Sequence, residues 1–149
     1  MVAGGRCKSK LVGWLVIGMV GAWLQACSPK PPPPGPTARV FATDLEGAAK
    51  TCEVPKIAPV SGQTAQITMQ VGNDGGWCGI AVASAGKPYA AGLLTVPAAH
   101  GKVLIHTVGD VTRIDYTPES QFFGPDGFTI KLLPGDAELR VEVSVSRSP

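Results

Sequence analysis

Short segments in which apolar and polar residues alternate constrain the fold of this 149-residue chain more than any other feature. A period of two is typical of a strand with one buried face, and no long segment shows the period of a helix. Turns rich in glycine, proline and asparagine separate the segments, which lie at 63–71, 78–83, 93–96, 102–108, 111–116, 128–133 and 139–145. The pattern predicts an all-β fold, an antiparallel sandwich of about seven strands.

The first 26 residues have a different composition. Residues 1–10 carry Arg6, Lys8 and Lys10 but no acidic residue, and residues 11–24 carry no charge. A positive segment followed by a short apolar one is typical of a secretory signal peptide. The apolar run is shorter than the roughly 20 residues of a membrane-spanning helix, and the alternative interpretation is an uncleaved N-terminal anchor.

The apolar run ends at Leu24-Gln25-Ala26-Cys27, which resembles the lipobox of bacterial lipoproteins. The resemblance implies that residues 1–26 are removed, and that Cys27 becomes the N-terminus and carries a diacylglyceryl group and fatty acyl chains such as palmitate. Ser28, rather than an aspartate, follows the cysteine, which in that family resembles the pattern for outer-membrane sorting. We therefore expect a protein held by lipid in a bacterial outer membrane, on its periplasmic or its surface side.

Removal of this leader changes the charge balance. The whole chain has 13 basic and 11 acidic residues, and loss of the three basic residues of the leader leaves 10 against 11. The remaining charges are scattered along the chain. No cluster of lysine and arginine indicates a nucleic-acid partner.

Two cysteines, Cys52 and Cys78, remain after cleavage and lipidation. In an oxidising envelope we expect them to form a disulfide, which in the chain-entropy model contributes about 3 kcal/mol for a loop of this size. Their wide spacing does not favour a zinc site. We predict no metal and no other cofactor.

Residues 27–37, CSPKPPPPGPT, predict a stiff extended spacer, because consecutive prolines favour the polyproline II conformation. A domain at 38–149 follows the spacer. In its first part, residues 39–50 are compatible with a short helix or with an irregular lead-in. Residues 53–60, with Pro55 and Pro59, are typical of an extended piece at a sheet edge.

The second half of the domain contains Tyr116-Thr117-Pro118 and then Phe122-Phe123-Gly124-Pro125-Asp126-Gly127-Phe128. Together with Pro97-x-x-His100-Gly101-x-Val103, these residues resemble the signature of bacterial Ig-like or cadherin-like repeat domains, across about residues 93–146. The resemblance implies an Ig-like β-sandwich and no particular reaction. The residues themselves predict that Tyr116 ends a strand with its ring in the core, that Asp126 accepts local backbone N–H groups, and that Phe128 begins the next strand.

Candidate catalytic residues are few. Some related repeats bind calcium, but Asp126 lacks an acidic neighbour in sequence. His100 is predicted in a turn, His106 on a strand, and Met69 in the core rather than in a copper site. The chain has no Gly-x-Ser-x-Gly, no phosphate loop and no Cys-x-x-Cys. We predict that the protein is not an enzyme.

Trp77 is the candidate contact residue. If Cys78, Ile80 and Val82 face the core, Trp77 faces solvent beside a glycine-rich turn, and exposed tryptophan is common at interfaces. We predict that Trp77 belongs to a partner-binding surface, with Tyr89 in the loop 84–91 as a companion. The alternative is that Trp77 packs against the tether or a neighbouring loop.

Two functions fit these features. The first is a lipid-anchored interaction module that binds another envelope protein or a surface polymer. The second is a structural or assembly subunit of a larger envelope complex.

Overall fold

A computed structural model describes residues 42–148. The predicted signal peptide 1–26, the lipidation of Cys27, the spacer 27–37 and the start of the domain at 38–41 lie outside the described residues. Among the described residues, no helix is long and apolar enough to cross a membrane.

The described chain consists almost entirely of strands, which confirms the all-β prediction. A short 3-10 helix spans Ala42–Leu45, and the strands are β1 (Cys52–Glu53), β2 (Thr64–Asn73), β3 (Cys78–Val82), β4 (Ala91–Val96), β5 (Gly101–Val108), β6 (Val111–Pro118), β7 (Gly124–Leu133) and β8 (Ala137–Arg147). They form one sheet with the order β1-β2-β8-β7-β4 and a second with the order β3-β6-β5. The two sheets pack face to face as a β-sandwich around one core.

One strand pair departs from the predicted antiparallel arrangement. Strands β2 and β8 run parallel, in register from Thr64 opposite Glu138 to Asn73 opposite Arg147. Both strands alternate in the same phase, so Ile67 lies beside Val141 and both face the core. Alternation defines which face of a strand is buried but not the direction of its neighbour, and the prediction of a wholly antiparallel sandwich is therefore wrong at this pair.

The core fills the space between the two sheets, and the predicted inward faces supply it. Met69, Cys78, Ile114, Tyr116 and Leu139 are fully buried. The other members of this cluster lie at every second position of β2, β3, β6, β7 and β8, except Ala49 and Tyr89, which lie outside the strands. Met69 is thus a core residue, as its strand position predicted.

The boundaries of β2 to β8 lie within two residues of the predicted segments, except at the start of β7. The strand was expected to begin at Phe128 but begins at Gly124, so Asp126 lies within a strand and not in a turn. The lead-in is a single 3-10 turn followed by irregular chain, and of the predicted edge piece 53–60 only Glu53 lies in a strand.

The predicted disulfide is confirmed. Cys52 and Cys78 are joined with a Cα–Cα distance of 5.3 Å. The bond connects β1, at one edge of the large sheet, to β3, at one edge of the small sheet. Because β1 contains only two residues, the covalent bond is the strongest link between this first strand and the opposite sheet.

Candidate interaction surfaces

Trp77 lies just before β3, and its ring is half-buried. The indole Nε1 donates a hydrogen bond to the backbone oxygen of Glu46 at 2.9 Å. The guanidinium carbon of Arg113 lies 4.0 Å from the ring centroid, a distance typical of a cation–π contact. Part of the apolar surface that we expected in solvent is therefore covered.

The cover comes from the chain that precedes β1. The backbone of Ala49 donates to the Trp77 oxygen at 2.8 Å, and the Trp77 backbone donates to the Gly47 oxygen at 3.0 Å. Trp77 thus packs against a neighbouring segment, as the alternative interpretation held. A role for Trp77 in partner binding stays a prediction, confined to the part of the ring that remains exposed.

Tyr89 does not share a surface with Trp77. Only 8% of Tyr89 is exposed, and the residue belongs to the core cluster. Its backbone N–H donates to the buried hydroxyl of Thr112 at 2.9 Å, which holds the loop before β4 against β6. This burial counts against Tyr89 as a partner contact, because little of its ring is accessible.

A charged cluster occupies the outer face of the small sheet. Oδ2 of Asp115 lies 2.8 Å from His106 Nε2 and accepts hydrogen bonds from Arg113 Nε at 3.0 Å and Nη2 at 2.9 Å. Arg113 also donates through Nη1 to the backbone oxygen of Asp44. The cluster therefore joins the lead-in segment to β5 and β6, and His106 is a paired side chain, as predicted.

The second oxygen of Asp115 is buried and has no hydrogen-bond partner. It lies over Gly79, where a Cβ would be 2.6 Å from Oδ1 and 3.0 Å from the Trp77 ring. The space around this oxygen is thus filled by the sheet and the tryptophan. No room remains there for a ligand, and the cluster is a covered structural feature.

The signature residues form a clamp between β6, β7 and the β4–β5 loop. Asp126 Oδ1 accepts the N–H of Ala99 at 2.9 Å and of Gly127 at 2.8 Å. Asp126 Oδ2 accepts the N–H of His100 at 3.0 Å and the hydroxyl of Tyr116 at 2.8 Å. Gly101 is required beside this clamp, because a Cβ there would lie 2.3 Å from the Tyr116 ring.

The clamp changes the acidity of both side chains. Burial alone would raise the pKa of Asp126, but the hydrogen bonds from Tyr116 and from three backbone N–H groups outweigh it and lower the pKa. Burial, followed by the hydrogen bond to Asp126, raises the pKa of Tyr116 well above its usual range. One carboxylate satisfies all four donors, so Asp126 stabilises the fold.

Four of the seven large apolar side chains that are exposed among the described residues lie on strands β4 and β5. Leu93, Leu94 and Val96 of β4 are 48%, 39% and 53% exposed, and Leu104 of β5 is 58% exposed. Strands β4 and β5 are edge strands of different sheets, and they adjoin, because a Cβ at Gly92 would lie 2.7 Å from Ile105. We call these four side chains the β4–β5 flank.

The four sheet edges differ in how they are protected. Strand β1 is two residues long and is followed by Pro55, and β3 is bridged at its start by the lead-in segment. Strand β5 carries Lys102 and His106. Strand β4, with the sequence AGLLTV, has no charge and no proline. Short length, charge, proline and bulges are the usual means of blocking an edge, and β4 has only an irregularity between Leu94 and Val96.

Sequence reasoning missed this flank. The segment 93–96 was recognised as a strand, but nothing in a single segment shows whether it lies at the centre or at the edge of a sheet. The available signal was the run of apolar residues without alternation at 93–94, which a strand with one polar face does not contain.

Comparison with known proteins identifies no relative of this chain: no protein-family model matches it, and no curated protein is similar to it. Within residues 42–148, no group of three histidine, cysteine or acidic side chains is arranged to hold a metal ion. The candidate surface is therefore defined by its geometry alone.

Proposed function

We propose that this chain is a lipid-anchored interaction module of the bacterial envelope, which binds a protein partner through the β4–β5 flank. The observation that carries the proposal is that exposed apolar side chains lie on a sheet edge that has neither a charge nor a proline. Monomeric proteins usually limit exposed apolar surface, and apolar side chains along a sheet edge are a common feature of interaction sites.

The chemistry of the flank favours a polypeptide as the partner. An edge strand offers unpaired backbone N–H and C=O groups in a row, which another extended chain can satisfy. Leu93 and Leu94 add apolar contact area on the two sides of that edge, because successive residues of a strand point to opposite faces. A carbohydrate polymer would pair less well with the backbone N–H and C=O groups of the edge, and it would make poorer contacts with the leucines.

Photo-crosslinking in intact cells tests the flank. A photoactivatable residue replaces Leu93 or Leu104 in the full chain, and the control is the same residue at Val60, which is 54% exposed outside the strands. We expect a discrete protein adduct from the two flank positions and none from position 60. Equal adduct patterns at all three positions would refute the flank as the binding surface.

The anchor is proposed on the lipobox alone. Cys27→Ser removes the thiol that would carry the lipid, and each buried CH₂ of an acyl chain contributes about 0.8 kcal/mol to membrane binding. Metabolic labelling with a fatty-acid analogue should therefore mark the wild-type chain and not the variant. Equal labelling of the two would contradict lipidation at Cys27 and leave the flank experiment unaffected.

A further inference from the structure

We propose that residues 42–51 form a strap that opens while the sandwich stays folded, and that its opening uncovers Trp77. Trp77 precedes β3, which lies at the opposite edge of the small sheet from β5. The strap is therefore remote from the β4–β5 flank, and the inference goes beyond the proposed function. Because Trp77 is the contact residue that the sequence predicted, the strap would determine when its whole ring is accessible.

The strap is attached mainly through its backbone and buries little side-chain surface. Its carbonyl oxygens accept hydrogen bonds from the guanidinium of Arg113, the indole and backbone N–H groups of Trp77 and the N–H of Gly72. Among residues 44–51, only Ala49 is buried. Few buried apolar contacts and exposed backbone hydrogen bonds are typical of segments that open at a lower free energy than the whole domain.

The closed strap also keeps an unfavourable group buried. The ring of Trp77 and Oδ1 of Asp115 both lie over Gly79, and this oxygen has no hydrogen-bond partner. A carboxylate oxygen in this position has lost its water and gained no donor in exchange, which destabilises the closed state. Opening separates the Glu46 oxygen from the indole N–H. The ring is then free to move, and water can reach Asp115.

The disulfide determines where the opening ends. Cys52 follows the strap directly and is bonded to Cys78, the first residue of β3. Release of residues 42–51 leaves this bond and both sheets in place. Trp77 directly precedes Cys78, so the bond also keeps the backbone of Trp77 at the sandwich when the strap is open.

Gly76 offers a way to open the strap without altering the residues that it covers. A Cβ at this position would lie 2.4 Å from the backbone nitrogen of Ala49 and 2.6 Å from its Cα, so Gly76→Ala forces the strap outwards. The matched control is Gly75→Asn in the same turn. A Cβ at Gly75 meets no atom within 4 Å, and asparagine tolerates the positive φ of 87° found there.

Acrylamide quenching of Trp77 fluorescence reads out the opening. The protein is the full chain with Trp14→Phe and Trp23→Phe, so that Trp77 is its only tryptophan. We expect Gly76→Ala to raise the quenching constant severalfold, with thermal unfolding still cooperative, and Gly75→Asn to leave the constant unchanged. Unchanged quenching in Gly76→Ala, an equal rise in both variants, or loss of the cooperative transition would overturn the strap.

Hydrogen exchange of the unaltered full chain is a second test that needs no substitution. Amides of the strap and of Trp77 should exchange through an opening that is insensitive to low concentrations of urea, because a local opening exposes little surface. Amides of Ile114 and Leu139, in β6 and β8, should respond to urea with the slope of global unfolding. The same slope for both sets would mean that residues 42–51 open only with the whole domain, and it would overturn the inference.

Discussion

Asp126 and Asp115 are two carboxylates of the same domain, and their hydrogen bonds are arranged in different ways. Asp126 divides four hydrogen bonds evenly between its two oxygens, and three of the four donors are backbone N–H groups. Asp115 concentrates its contacts with Arg113 and His106 on Oδ2, and its buried Oδ1 has no partner.

The difference lies in where the donors come from. Backbone donors exist only when the β4–β5 loop and β7 are folded together, so Asp126 fixes the path of the main chain. The partners of Asp115 are side chains, which lie with it on the outer face of the small sheet. We therefore expect that no second substitution can offset the loss of the Asp126 carboxylate. The loss of Asp115, by contrast, should be partly offset when a charged partner is replaced as well.

Removal of the Asp126 carboxylate should have the largest effect. Asp126→Ala leaves the Tyr116 hydroxyl and the N–H groups of the β4–β5 loop without an acceptor, and hydrogen bonds to a charged group contribute about 1.5–3 kcal/mol each. We expect a loss of about 3 kcal/mol in the free energy of unfolding, measured by urea denaturation. Asp110→Ala, in the exposed β5–β6 turn, is the control and should change it by less than about 0.5 kcal/mol. Equal losses would contradict the clamp.

Replacing Arg113 or Asp115 should lower the free energy of unfolding by less than Asp126→Ala does. The losses from the two single substitutions should not be additive. Arg113→Met leaves the buried Asp115 carboxylate with His106 alone, and Asp115→Asn leaves Arg113 without a carboxylate, so we expect a loss of about 2 kcal/mol for each. The double variant removes both charges, so its cost should fall below the sum by about 1–2 kcal/mol in a double-mutant cycle. Additive losses would show that the ion pair makes no coupled contribution.

Tyr116→Phe should have a smaller effect, because Asp126 keeps its three backbone donors. We expect a loss of about 1 kcal/mol at neutral pH. Because the pKa of Tyr116 is raised in the folded state, its contribution is present below the unfolded pKa of about 10 and is lost as the pH rises through the folded value. The phenylalanine variant should therefore lose less stability than the wild type between neutral and strongly alkaline pH.

The smallest and most gradual effect should appear in acid. The pKa of Asp126 is lowered in the folded state, so its contribution is present above the unfolded pKa of about 3.9 and declines as the pH falls through the folded value. Asp126→Asn cannot ionise and should flatten this part of the stability curve. Identical acid profiles for the two proteins, measured by thermal unfolding, would refute an ionised Asp126.

The sequence predicted the features that depend on short-range pattern. Alternation assigned the buried faces of β2, β3 and β8 correctly, because each inward residue follows from its neighbour two positions away. The ring of Tyr116 and the acceptor role of Asp126 were also predicted, since a short signature contains both residues. The start of β7 at Gly124 was not, because pairing with β8 extends the strand through residues of low strand propensity.

Features that depend on the arrangement of whole strands could not be predicted. The parallel β2–β8 pair, the edge position of β4 and the exposure of Leu93 follow from strand order, which alternation does not encode. The cover of Trp77 requires the lead-in segment and Arg113, which lie more than 25 residues away on either side of it. The alternation of inward and outward residues in β3 correctly placed Trp77 on the outer face. Contacts with residues distant in sequence cover part of its ring.

The disulfide between β1 and β3 also determines how the domain would bear a mechanical load. When the chain before Cys52 is pulled, the force is transmitted at Cys52 through the S–S bond directly to Cys78 in β3. Residues 53–77 form a closed covalent loop that is bypassed by the force, so β2 is not peeled from β8 by tension arriving from the N-terminal side. The load from the N-terminal side passes instead into β3 and its pairing with β6.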